Sequence, residues 1–173
     1  MKSIQLITVA TAAILLTLCQ ANSVLPTDGD LNAAGNIAAK IFTEEMAQSV
    51  LGAPVQPASR NSDADIKNGA TTVSQCSYSI KGDAAVMPTS VSLLLRRAGS
   101  ADEAKTIFLS SKTTYNGEAV AGLGDDAYRT AAPPQLNVLK GRNWLIISAG
   151  AFPKADPALQ EKATREILKS IQE

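Results

Sequence analysis

Apolar positions recur along this chain with three different spacings, and each spacing predicts a different kind of segment. From Ile4 to Leu18 they form an almost unbroken run, behind Met1-Lys2 and ahead of Cys19-Gln20-Ala21-Asn22-Ser23. A charged start, an apolar stretch and small residues in that order predict an export signal over residues 1–21. The run is about 15 residues long, short of the ~20 that a bilayer-spanning helix needs. Cleavage after Ala21 would release a soluble chain starting at Asn22. The rival reading takes Leu16-Thr17-Leu18-Cys19 as a bacterial lipobox with Cys19 lipidated, although Leu18 stands where a small residue belongs. Residues 22–36, punctuated by Pro26 and Gly29, predict a flexible tether before a single domain over 37–173.

Helical spacing governs three later stretches. Thr43 is a good N-cap, Glu44 and Glu45 suit the positive first turn, and Gly52 closes the segment before Pro54. Phe42 is placed to staple onto Ala47, and the helix has room to begin as early as Ile37. Ser100-Ala101-Asp102-Glu103 is a capping box, with Glu103 placed to reach the Ser100 amide, so a helix is predicted from Ala101 to near Thr113. Asp156-Pro157 predicts a third helix, an N-cap followed by Pro at the first helical position. Its buried stripe would be Leu159, Ala163, Ile167, Leu168 and Ile171, with Lys154, Lys162, Arg165 and Lys169 in water.

The remaining segments alternate. Thr72 to Lys81 sets Cys76, Tyr78 and Ile80 against Gln75, Ser77 and Ser79, a half-buried strand with one wet face. After Lys81-Gly82-Asp83 a second strand runs through Val91, Leu93 and Leu95 to Arg96-Arg97, and Leu93-Leu94-Leu95 predicts cover on both faces. Ala127–Thr130 is a short strand before Pro133-Pro134. Leu136–Lys140 and Asn143–Ala149 flank the two-residue turn Gly141-Arg142 as a hairpin. Trp144-Leu145-Ile146-Ile147 is apolar on both faces and belongs at the sheet's centre. Pro54–Gly69 and Asn116–Asp126 are read as loops. The order α-β-β-α-β-β-β-α predicts an α+β fold, a largely antiparallel sheet packed by helices.

Composition narrows the chemistry. The 16 basic and 16 acidic residues balance, and loss of Lys2 leaves the mature form at −1, so there is no basic footprint for nucleic acid. The chain has no histidine, which removes Ser-His-Asp and Cys-His catalysis and the commonest zinc ligand. Once Cys19 is removed or lipidated, Cys76 has no partner in the chain, so the fold must rest on its core. Neither G-x-S-x-G, S-x-x-K, H-E-x-x-H nor C-x-x-C occurs.

Four residues stand out as binding candidates: Arg96, Tyr115, Asp125 and Asp126. Gly122-Leu123-Gly124-Asp125-Asp126-Ala127 imitates a dinucleotide fingerprint, but no helix can open before Tyr128-Arg129-Thr130 and Pro133-Pro134, so it reads as a tight turn with positive-φ glycines. Asp125 and Asp126 could offer oxygens to Ca²⁺, yet too few carboxylates lie near them, and no metal or other cofactor is expected. Of Arg96-Arg97, strand alternation lets only one face a given anion. Tyr78, Tyr115, Tyr128 and Trp144 either line a pocket or pack the core.

Ile41-Phe42-Thr43-Glu44-Glu45, Val50-Leu51-Gly52-Ala53-Pro54-Val55, Cys76-Ser77-Tyr78 and Val120-Ala121-Gly122-Leu123-Gly124-Asp125-Asp126-Ala127-Tyr128 together look like one pattern. They resemble the "L-T-x-E-E … L-G-x-P-V", "C-x-Y" and "G-L-G-D-x-A" signatures of small exported bacterial cell-envelope proteins and lipoproteins. The resemblance extends over roughly residues 37–171 and implies a Mog1/PsbP-like α/β/α sandwich. It implies no catalytic residues, since that group shares no common activity. The frequent second cysteine near its first helix is missing here. The expectation is therefore an exported, non-catalytic binding or accessory module in the periplasm or outside the cell. It would touch membrane only through a lipid on Cys19, with an envelope protein as the conceivable partner. The alternatives are a subunit of an envelope assembly, or an enzyme that works through Asp, Tyr or Lys without histidine.

Overall fold

A computed structural model describes residues 36–57, 66–68, 70–83, 88–151 and 153–171. The predicted signal, lipobox and tether therefore lie outside the described residues, Asn36 excepted. Among those described are four helices: α1 (Ile37–Ile41), α2 (Glu44–Leu51), α3 (Ala101–Thr114) and α4 (Pro157–Ser170). The strands are β1 (Val55–Pro57), β2 (Ile66–Asn68), β3 (Thr71–Ile80), β4 (Ser90–Arg97), β5 (Glu118–Ala119), β6 (Asp126–Ala131), β7 (Pro134–Lys140), β8 (Asn143–Ala151) and β9 (Lys154–Ala155). They join one antiparallel sheet in the order β1-β3-β4-β8-β7-β6-β5, with β2 beside β3 and β9 beside β8.

The α+β class and antiparallel sheet are as expected, but the element order is richer. Two short strands, β1 and β2, occupy the stretch read as a loop, and both pair with β3. They are too brief to show a hydrophobic period. β5 likewise lies inside the expected 116–126 loop, and β7 starts at Pro134, two residues early. Pro134 is tolerated because it sits at the first position of the strand. The first helix is two helices. Phe42 leaves helical geometry at φ −122°, buries its ring edge-on against Tyr78, and its carbonyl accepts the Tyr78 hydroxyl at 3.0 Å. Thr43 then caps α2 through the Met46 amide.

Capping chemistry explains where the other helices start. The Ser100 hydroxyl accepts the Glu103 amide at 3.1 Å, while the Glu103 carboxylate takes the Gly99 amide, not that of Ser100. Asp156 accepts the amides of Ala158 and Leu159 ahead of α4. Lys162, expected in water, is exposed yet donates to the carbonyls of Ser49 and Val50 at the end of α2, a favourable place for a cation. Asn36 caps α1 and is buried: its amide donates to the Gln75 carbonyl and its side-chain oxygen accepts the Ser74 hydroxyl at 2.6 Å. That network fastens the domain's entry to the edge of β3.

The sheet has two unequal faces. On the first, Cys76, Tyr78, Val91, Leu93, Leu95, Leu136, Val138, Leu145 and Ile147 meet Ala38, Phe42, Ala47, Val50, Ala163 and Ile167 from α1, α2 and α4. On the second, α3 is the one described helix that supplies cover, through Ala104 and Phe108 against Tyr128, Leu139 and Trp144. A helix is roughly 10 Å wide and strands are spaced at ~4.8 Å, so one helix covers about two strands of this sheet. The rest of the second face is hydrophilic. Ser77, Ser92, Ser148, Gln135 and Thr130 form a row across five strands, and Leu94, expected to be covered, is half-exposed.

Because Phe108 is the only large α3 side chain fully buried, truncating it should release much of that helix's hold. Phe108→Ala is expected to lower unfolding free energy by about 3–5 kcal/mol. Leu109→Ala, on the exposed side of α3, should stay within ~0.5 kcal/mol of the parent. Urea denaturation of both variants checks the contrast, and equal losses would refute this packing.

Candidate functional site

Partial cover leaves a cleft of about 500 Å³ between α3 and the second face of the sheet. Its volume lies within the ~300–1,000 Å³ of small-molecule sites. Trp144, Ile146 and Tyr128 of the sheet and Ile107 of α3 give it apolar walls. Thr106, Ser110, Ser111 and Thr114 line it from the helix, and Thr130, Gln135 and Asn137 from the sheet. The placement follows from strand alternation: Trp144 and Ile146 point to the second face because Leu145 and Ile147 take the first.

The aromatic floor is held rigidly. The Trp144 indole donates to Asn137 at 3.0 Å, and its ring packs edge-on against Phe108 at 6.1 Å between centroids. The Tyr128 hydroxyl donates to Ser111 at 2.9 Å, and its ring lies 4.8 Å from Phe108. After α3 the chain passes over Tyr128 at Gly117, where a Cβ would come within 2.3 Å of the ring. Only glycine allows that approach.

One cation enters the cleft. The Arg96 guanidinium sits 5.1 Å above the Trp144 ring centroid, a cation–π arrangement. It makes no hydrogen bond or ion pair with any described residue. Arg97 points to the opposite face and donates to Asn143 at 2.9 Å, as alternation predicts. Among the described residues the lining contains no carboxylate, lysine or cysteine.

The sequence candidates divide accordingly. Arg96 and Tyr115 both line the cleft, and Tyr115 is 54% exposed at its mouth. Asp125 and Asp126 do not. Asp125 accepts the Gly141 amide at 2.6 Å and the Lys140 ammonium at 3.2 Å, pinning the glycine turn to the β7–β8 hairpin. In that turn Gly124 has φ +59°, and a Cβ there would lie 2.3 Å from the Leu139 carbonyl oxygen. Asp126 pairs with Lys112 at 3.3 Å. Among the described residues no group of three His, Cys, Asp or Glu could hold a metal ion. Of the aromatic candidates, Tyr128 and Trp144 reach the cleft, while Tyr78 packs in the core of the other face. Sequence reasoning missed the lining of hydroxyls on α3; Thr106, Ser110 and Thr114 at helical spacing were the available signal. Scans against protein-family models, curated proteins and solved structures find no match to this chain.

Buried protons mark both faces. Burial pushes the Cys76 thiol up to about 12, and its proton points to the Phe42 carbonyl at 3.8 Å. Burial also raises the Tyr78 phenol. For Tyr128, burial outweighs the lowering by the Ser111 hydrogen bond and Arg96. The folded state keeps these protons where the unfolded chain loses them, from ~8.5 for Cys and ~10 for Tyr. Their stabilising contribution is thus complete below about pH 8.5 and declines as pH rises toward the folded values. Urea midpoints should fall between pH 7.5 and 10.5, and Cys76 should resist alkylation until the chain unfolds. A rapidly alkylated native Cys76 would contradict this burial.

Proposed function

We propose that this chain is an exported, non-catalytic protein of the bacterial cell envelope that binds a small ligand in the cleft beneath α3. The observation that carries the reading is the cleft itself: ligand-sized, floored by fixed aromatic rings and supplied with Arg96, a cation that stacks on Trp144 and has no hydrogen-bond or ion-pair partner among the described residues. Binding sites are mostly apolar with a few placed polar groups, and this lining has that character. Among the described residues the lining offers hydroxyls, amides and one guanidinium, without a carboxylate–carboxylate or lysine-based acid–base pair, which supports binding over catalysis. The apolar leader ahead of Ala21 supports export to the periplasm or the exterior, with a lipid anchor at Cys19 as the rival form. Helices on both faces of one antiparallel sheet support kinship with the Mog1/PsbP-like sandwiches. Among the described residues no helix is long and apolar enough to cross a membrane.

A second reading, a subunit of an envelope assembly, draws on Leu109 of α3 at 41% exposure and Tyr115 at its C-terminal cap at 54%. Mass spectrometry of protein recovered from its own host separates these possibilities. Denaturing spectra should show an N-terminus at Asn22; a diacylglyceryl Cys19 would replace free export with anchoring, and an intact Met1 would refute export. Native spectra should carry a small-molecule adduct on a monomer. Adduct-free spectra in repeated preparations would overturn ligand binding, and a stable complex with other proteins would favour the assembly reading.

A further inference from the structure

The structure assigns to the cleft an amphipathic monocarboxylate as its ligand class: an apolar body lying along Trp144 and Ile146, with its carboxylate on Arg96. The assignment rests on the reading of the cleft as a binding site and specifies what that site selects. Arg96 is the starting point. A guanidinium placed over an indole is partly desolvated, and this one has no hydrogen-bonding or ionic partner among the described residues. Its planar fork of N–H donors matches a carboxylate edge to edge.

The charge count limits the anion. Among the described residues Arg96 is the only charged one of the lining, so a monoanion is neutralised there while a phosphate monoester would retain excess charge. No carboxylate among the described residues lines the cleft to compete for the guanidinium. The nearest acid of the sheet in register, Asp126, is held by Lys112 at 3.3 Å.

The walls limit the rest of the ligand. Ile107 of α3 and Ile146 of β8 both line the α3–sheet gap and pack against the cluster that holds the Trp144 and Tyr128 rings. A fully polar acid would leave these surfaces unmatched. An apolar body removes them from water at a gain of roughly 25 cal/mol per Å². Hydroxyls of Thr106, Ser110 and Thr114 at the helix side tolerate a polar substituent without demanding one. Aromatic acids and medium-chain fatty acids share this chemistry.

Trp144 is the only tryptophan of the chain, so its emission reports on the cleft alone. The full mature protein is titrated at pH 7.5 with 3-phenylpropanoate and octanoate, and with the primary amide and the amine of each. Both sources of carboxylate are thereby compared, and the tighter acid identifies aryl or alkyl preference. A saturable change is expected with at least one acid, and its amide should bind about tenfold or more weakly. Arg96→Gln should abolish the preference for acid over amide while leaving amide binding in place. Arg96→Lys, which keeps charge but not the planar fork, should bind the acid with intermediate strength and serves if Arg96→Gln does not fold. Amide or amine binding as tight as acid would overturn the carboxylate assignment and leave the cleft reading intact. No saturable response to either acid would also overturn it, with the cleft reading then decided by the native spectra from the host.

Discussion

Strand β8 has apolar side chains on both faces, and both must be removed from water. Nearly everything else follows from how unequally that demand is met. On one side Leu145 and Ile147 lie under helices α1, α2 and α4, in a continuous core where each large aliphatic contributes about 1.5–3 kcal/mol relative to exposure. On the other, α3 is the one described helix above Trp144 and Ile146. The described cysteine is free and buried, so no cross-link there supplements this packing. A single helix cannot roof so wide a sheet, and the uncovered margin between Phe108 and the open serine rows becomes the cleft.

Polar groups inside the fold are placed where they would otherwise be costly. Asn36 and Ser74 satisfy each other and the Gln75 carbonyl of β3, between the contacts of β3 with β1 and β2. The Phe42 carbonyl, freed when α1 ends, is taken by Tyr78. Asn137 is committed to the Trp144 indole and Tyr128 to Ser111. Against that background of paired groups Arg96 differs, since among the described residues its guanidinium meets an aromatic face and no hydrogen-bond or ion-pair partner. A cation whose donors meet no described partner beside an apolar floor is the arrangement that suits an amphipathic carboxylate.

The legible parts of this fold were those with a strong local signal. Asp156-Pro157, Ser100 with its acidic first turn, and Thr43 with Glu44-Glu45 all mark helix starts because capping is decided within four residues. The Gly141-Arg142 hairpin and the central place of β8 followed from turn chemistry and a two-sided apolar run. Opposite directions for Arg96 and Arg97 followed from the pleat. What escaped depended on distant partners: β1, β2 and β5 exist only because β3 and β6 offer edges, and the α1–α2 break answers Tyr78 across the core. The cleft was half legible. Arg96 and Tyr115 were singled out, but their meeting depends on α3 crossing the sheet, and Asp125 and Asp126 were drawn instead into the turn and an ion pair.

The central claim is that β8 is the doubly covered centre and α3 a partial roof held by few residues. Native-state hydrogen exchange tests it most directly, because it ranks the opening free energy of each element. Amides of Leu145–Ala149 should exchange only through global unfolding, while those of α3 exchange through a smaller opening of their own. Protection in α3 equal to that of β8, or β8 opening first, would contradict the account.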